Sequence, residues 1–251
     1  MAPFLGGVAA DVLGIRFPFF ACFILILAVF PLTLLMRETR RKPQVVDAKK
    51  EGDGVAVRYT FAIVLFSLIN IVQGVGIGVT GPVISVFARL NFNVDYTFIG
   101  MLYAIGFGVA SIVVQIPASK CSDKFDRRKV MFWTFLVSSP FFLLFAYSQN
   151  FVELVLFMFL SNALLNASWP AFQTLMMDST PQSKWGFVNG ISATTFWIGI
   201  MAGNALSGVL WDGWGQLAPF YVSAIAIGLS ALLPLFLRET RIKKNGEVIQ
   251  K

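Results

Sequence analysis

The sequence predicts an all-α, polytopic membrane protein with about seven transmembrane helices. Three observations lead there. Hydrophobic residues make up 57% of the 251 and charged residues only 13%, with mean hydropathy +0.73, more apolar surface than a soluble domain of this size needs. The apolar residues fall in runs of about 20, the length that crosses a bilayer core of roughly 30 Å. Finally, residues 4–42 recur without a gap at 205–243, with 16 identities in 39 positions. Gly7, Asp11, Gly14, Pro18, Phe19 and the run Arg37-Glu38-Thr39-Arg40 reappear 201 positions later as Gly208, Asp212, Gly215, Pro219, Phe220 and Arg238-Glu239-Thr240-Arg241. A unit has been duplicated.

The elements follow in order. Residues 1–10 are apolar but too short to cross, since ten helical residues rise only about 15 Å. Their repeat partner, 203–208, closes a complete span at 186–210. Residues 1–36 are therefore expected to be the end of a preceding half: a partial helix, then a span at 17–36. Met1 then falls within a helix, and the chain is expected to be a fragment, a split gene product or the product of a truncated gene; the alternative is a genuine short protein whose first segment lies on the outer interface. A basic connection covers 37–58. Six further spans, 59–87, 98–117, 130–147, 152–177, 186–210 and 218–237, form a six-helix half over 59–237, and 238–251 is a tail. A membrane barrel would show alternation in segments of about ten residues, and these runs lack it.

Charge placement sets the orientation. Of the 20 cations, 18 lie in 37–58, 120–129, Lys184 and the tail; Arg16 and Arg89 alone lie on the other side. The positive-inside bias predicts a multi-pass protein of the cell membrane with its C-terminus and the 37–58 loop in the cytoplasm. Nucleic acid is not an expected partner, because the basic residues form no folded domain. The chain has no histidine, which excludes a His-Glu-x-x-His zinc site and Ser-His catalysis within it. Cys22 and Cys121 fall in different environments and are read as reduced. No nucleophile–base pair or metal set stands out, so no enzyme activity, metal or cofactor is expected.

The segment Pro117-Ala-Ser-Lys-Cys-Ser-Asp-Lys-Phe-Asp-Arg-Arg-Lys129 joins two spans on the basic side. It resembles the signature loop of the major facilitator superfamily, Gly-x-x-x-Asp-Arg-x-Gly-Arg-Arg. Asp123, Lys124, Arg127 and Arg128 match, while Ser119 and Asp126 stand where the family prefers Gly. Asp178-Ser-Thr-Pro181-Gln-Ser-Lys184-Trp-Gly186 is similar to the family's turn after helix ten. The Arg-Glu-Thr-Arg runs look like the ending of many members' sixth and twelfth helices. Pro3-Phe-Leu-Gly6-Gly7 resembles the end of the Gly-Pro-x-x-Gly-Gly motif of drug–proton antiporters, with Ala2 in place of its first Gly. The resemblance covers the whole chain and implies family helices six to twelve, a C-terminal half whose N-terminal half is the missing partner. Parallel repeats of this kind are related by an axis along the membrane normal.

Amides point to the site. Within the spans, Asn and Gln occur at Asn70, Gln73, Gln115, Asn162, Asn166, Gln173, Asn189 and Asn204, and spans 17–36, 130–147 and 218–237 have none. A buried amide is costly unless bonded, so amides gather where water or a partner is available. Asn162, Asn166, Trp169 and Gln173 share one helical face, as do Asn70 and Gln73. These six residues are the expected lining of a substrate cavity; the rival reading is hydrogen bonding between helices with no ligand, about 0.6–2 kcal/mol per contact. Gly74/Gly78 and Gly199/Gly203 are pairs that let helices approach closely. The resemblance suggests that Asp123, Arg127 and Arg128 pair with Asp178 and Glu239 in a conformational charge cluster; the alternative is a solvated loop. No Asp, Glu, Lys or Arg lies near a span centre.

The expected function is secondary transport of a small solute across the bilayer by alternating access, with efflux of organic, amphiphilic compounds ahead of uptake of a neutral metabolite such as a sugar. A non-transporting truncated membrane protein or assembly partner is the rival from another class.

Overall fold

The computed structural model describes residues 2–34, 53–237, 240–242 and 248–250. Two apolar helices come first, α1 (Ala2–Leu13) and α2 (Phe17–Leu34). Then follow α3 (Asp53–Phe92), α4 (Tyr96–Tyr103) running through a π-helical turn (Ala104–Val109) into α5 (Ala110–Lys124), α6 (Arg127–Leu144), α7 (Phe151–Asp178), α8 (Trp185–Trp214) and α9 (Ala218–Ser230). Among the described residues, six helical segments are long and apolar enough to cross a membrane: Thr60–Phe92, Tyr96–Ser122, Arg127–Tyr147, Phe151–Asp178, Gln182–Trp214 and Ala218–Phe236. The expected span 17–36 is helical through Leu34, and its last residues lie outside the described set. So does most of the 37–58 connection, though α3 begins at Asp53, within it. The tail contributes two three-residue strands, Thr240–Ile242 and Val248–Gln250, paired antiparallel.

Local sequence explains the ends. Asn150 and Glu153 form a reciprocal cap at the start of α7: the Asn150 side chain accepts from the Glu153 amide at 2.9 Å, and the Glu153 carboxylate accepts from the Gln149 amide at 2.8 Å. Asp126 caps α6 through the Arg128 amide. The duplicated unit turns in the same way twice. Gly14 closes α1 with φ +89° and Gly215 closes α8 with φ +95°, a left-handed backbone that glycine adopts without strain. Each carbonyl then accepts from the amide three residues on, Phe17 at 3.0 Å and Ala218 at 3.1 Å.

At the centre α3 packs along α8 and α9, while α6 packs on α7 and α9, and α5 on α7. Glycines bring the backbones of α3 and α8 into close contact along their seam. A Cβ on Gly74 would come within 2.5 Å of the Phe196 carbonyl oxygen, and one on Gly203 within 2.5 Å of that of Val75. Two apolar clusters fill the bundle. Phe66, Met131, Phe135, Phe172 and Leu175 lie toward the end bearing the 120–129 loop, here the basic end. Phe87, Leu102, Phe145, Leu154 and Phe220 lie toward the opposite end. Edge-to-face ring pairs, Phe66–Phe172 at 5.3 Å and Phe87–Phe220 at 5.1 Å, tie the helices within each cluster.

α1 docks on α4, and one carboxylate fixes it there. Asp11 accepts hydrogen bonds from the Thr97 amide at 2.7 Å, the Tyr96 amide at 3.2 Å and the Thr97 hydroxyl. Foremost the Thr97 hydroxyl, and then these amides and the Arg89 charge, hold its pKa below the usual aspartate value. A depressed carboxylate pKa contributes stability that is present above the unfolded value and lost as pH falls through the folded one. The melting temperature of the native chain is therefore expected to exceed that of Asp11→Asn near pH 7, and the gap to close as pH drops below about 4. A pH series of melts on the two proteins measures it.

Candidate functional site

The α7 face is built by its own backbone. The Asn162 side-chain amide donates to the Met158 carbonyl at 2.9 Å, and that of Asn166 donates to the Asn162 carbonyl at 2.8 Å. Each bond turns an NH2 group back along the helix. Neither side-chain oxygen accepts a hydrogen bond among the described residues, and both side chains are half-buried. Trp169 is 44% exposed and stacks flat on Phe172, with ring centres 5.9 Å apart. Gln173 is half-buried with no hydrogen-bond partner among the described residues, and so is Gln73 on α3. Asn70 stands apart: it is buried and donates to the Ser192 hydroxyl at 2.7 Å and the Ser192 carbonyl at 3.1 Å. It joins α3 to α8 at the seam.

Asn162 also reaches a cavity of about 280 Å³ in the half of the bundle away from the basic end, lined by Thr80, Tyr103, Phe107, Phe142, Phe145 and Met158 among others. The wall is aromatic and apolar, with hydroxyl and amide groups set into it and no charged side chain. Tyr103 donates to the Gly81 carbonyl at 2.9 Å and shares a 2.9 Å hydrogen bond with the Ser85 hydroxyl. The π-turn Ala104–Val109 opens beside it. Its Gly106 is packed so closely on α7 that a Cβ there would fall 2.7 Å from Met158 Cγ. Such bulges widen a helix locally and re-aim side chains, and they recur at functional sites. The residue pattern marks Tyr103 and this turn only faintly, by a lone tyrosine followed by Ala-Ile-Gly-Phe-Gly within an apolar span.

At the basic end Arg127, opening α6, forms an ion pair with Asp178, closing α7, with both side chains partly buried. Arg128 turns to Asp126 at 3.0 Å and donates to the Leu237 carbonyl at 3.1 Å. The Trp185 indole donates to the Thr180 carbonyl at 3.0 Å and so secures the turn after α7. The side chain of Asp123 and all of Glu239 lie outside the described residues. Arg127→Glu sets two carboxylates where a pair now stands. We expect it to destabilise the chain by about 1–3 kcal/mol, and Arg127→Glu with Asp178→Arg to recover most of that loss in thermal melts.

The profile of the Major Facilitator Superfamily matches residues 66–250. The chain is 23% identical over 250 residues to the Multi-drug resistance efflux pump PmrA of Streptococcus pneumoniae, covering 96% of this chain and 61% of that protein. It is 27% identical over 248 residues to the Multidrug resistance protein MdtG of Enterobacter lignolyticus, covering 96% and 59%. It is 26% identical over 187 residues to the Tetracycline resistance protein, class H, of Pasteurella multocida, covering 72% and 45%. The chain thus spans about three fifths of the length of the first two relatives.

Proposed function

This chain belongs to the Major Facilitator Superfamily, an assignment resting on the profile match over residues 66–250, and we propose that it is one half of a secondary transporter that expels amphiphilic organic compounds. It is an integral, multi-pass membrane protein. In the proposed mechanism a second six-helix half faces it, and the two rock about a site at the midplane, opening it to each side in turn. The 37–58 connection and the basic end lie in the cytoplasm.

The observation that carries the efflux reading is the chemistry of the α7 face and its neighbouring cavity. Phe107, Phe142, Phe145 and Met158 offer apolar contact, and Asn162, Thr80 and Tyr103 offer hydrogen bonds without charge. Such a surface suits flat, amphiphilic molecules of varied shape. The relatives named as a multi-drug resistance efflux pump and a multidrug resistance protein, each matched along 96% of this chain, support the same reading. Asn166, Trp169 and Gln173 extend the polar face toward the basic end and form the substrate's path. Arg127 and Asp178 fix the basic-end loop of this half, so that its charges meet the other half in one arrangement and separate in the next.

A fusion of this chain to the part of the Enterobacter lignolyticus relative that it does not match tests the proposal. Cells or vesicles carrying it are expected to extrude ethidium down to a lower steady level than vesicles without protein. Retention equal to the empty control, with the fusion folded and inserted, contradicts it.

A further inference from the structure

The cavity beside the π-turn offers hydrogen bonds of one kind. Its hydroxyl groups have committed their protons to the helices that carry them. Tyr103 is the donor to the Gly81 carbonyl, since a carbonyl only accepts. A phenol has a single proton, so the Ser85 hydroxyl donates to Tyr103 in turn. Thr80 donates to the Ile77 carbonyl at 3.2 Å. The same logic orients Asn162. Its NH2 group donates to the Met158 carbonyl, which fixes which end of the amide carries the oxygen. That oxygen accepts no hydrogen bond among the described residues. The side chains of the wall therefore keep acceptors open: Asn162 Oδ1 first, then lone pairs on Thr80 and Tyr103. Against these stands one remaining N–H of Asn162.

Shape and charge narrow the ligand further. Phe142 and Phe145 are buried, with ring centres 5.3 Å apart and edge to face. Phe107, carried on the π-turn, is the one lining residue that is exposed. The volume of about 280 Å³ lies just under the roughly 300–1,000 Å³ of sites for drug-sized ligands. Such a space holds a small ring system. No carboxylate lines it, so a cation would enter without a counter-charge.

We propose that this cavity binds neutral aromatic groups of one or two rings that carry an O–H or N–H, with that donor on Asn162 Oδ1 and the rings among Phe107, Phe142 and Phe145. This rests on the efflux reading above and names the substrate class at its site: phenols and aromatic amines ahead of ethers of the same shape. An ether covers the Asn162 oxygen without pairing it, so the oxygen loses water and gains no bond. A phenol replaces that water with its own proton.

The probes are β-naphthol, its methyl ether and its trimethylammonium analogue. Each is titrated calorimetrically into the full chain in lipid nanodiscs, with empty nanodiscs as the blank for partition into lipid. Naphthol is expected to saturate and to bind about tenfold more tightly than the ether or the cation. Asn162→Leu keeps the volume and removes the acceptor. In it the advantage of naphthol over the ether is expected to vanish, while the ether's own affinity stays within about twofold. Asn162 bonds only within α7, so this variant is expected to melt close to the native chain. Asn162→Trp, which fills the cavity, is expected to abolish saturable binding of all three probes. Equal affinity of naphthol and ether for the native chain, no saturable binding, or a preference that survives Asn162→Leu overturns the proposal. So does tighter binding of the cation, which would make the rings a cage for cations. The native chain's ratio of naphthol to ether affinity decides even where a variant melts early. Ethidium efflux by the fusion separates the two levels: efflux with no preference for naphthol overturns only the donor-selective site, and that preference without efflux overturns only the transport reading.

Discussion

Gly199→Val is expected to cost about 3 kcal/mol of stability, at the upper end of what overpacking costs, and to leave little folded protein at physiological temperature. The cause is contact between two backbones. A Cβ on Gly199 would already lie 3.0 Å from the Cα atoms of Gly74 and Ile71. Valine adds two methyl groups beyond that, so α3 and α8 must separate along their length. Separation also stretches the Asn70–Ser192 bonds, which hold the same seam at 2.7 and 3.1 Å. Helix propensity does not explain such a loss, since valine is a slightly better helix former than glycine. Gly190→Val is the control: it lies on the same helix with nothing within 4 Å, and it is expected to melt like the native chain. Urea or thermal unfolding in detergent checks both.

Asn166→Ala with Gln173→Ala is expected to reduce ethidium efflux by the fused transporter about tenfold while leaving its melting temperature close to native. Each amide that bonds a ligand contributes about 0.5–1.5 kcal/mol, so two together suffice for that factor. The structural reason for small effects on folding is that neither side chain joins two helices. Asn166 bonds only its own helix, and Gln173 has no partner among the described residues. Asn70 predicts the opposite pattern. Its bonds cross from α3 to α8, so Asn70→Ala is expected to lower stability more than efflux. Unchanged efflux of every dye tested with the double variant removes α7 from the substrate path.

The contrast among these amides shows what a sequence discloses. Period and hydropathy suffice for the six long spans, because membrane helices are defined by length and apolarity alone. The glycine pairs of α3 and α8 were equally legible, since small residues four apart mean close approach wherever they occur. The shared face of Asn162, Asn166, Trp169 and Gln173 needed only the helical period. Asn70 and Gln73 also share a face by period, yet one is buried against Ser192 and the other is half-buried. Which amide meets a neighbouring helix depends on the crossing of α3 and α8, and spacing within one helix does not encode that. The link from Asp11 to α4 was out of reach for the same reason, being a contact between distant segments. The π-turn at Ala104–Val109 is a change of hydrogen-bond register that composition does not announce. In the charge cluster, the sequence listed Arg127, Arg128 and Asp178 together. The fold pairs Arg127 with Asp178 and turns Arg128 to Asp126 and the Leu237 carbonyl.

Whether the amide-bearing face of α7 meets water is the most direct test. The fused transporter, with both native cysteines replaced by serine, would carry single cysteines at positions 162, 166 and 173 on α7, or at 225, 229 and 232, which are exposed toward the end of the chain on and just after α9. A membrane-impermeant maleimide is expected to label the first set in intact or inverted vesicles, with ethidium slowing the reaction, and to leave the second set unreacted. Reaction at 225, 229 and 232 with none at 162, 166 and 173 would contradict the account, because the carboxamides would then face lipid.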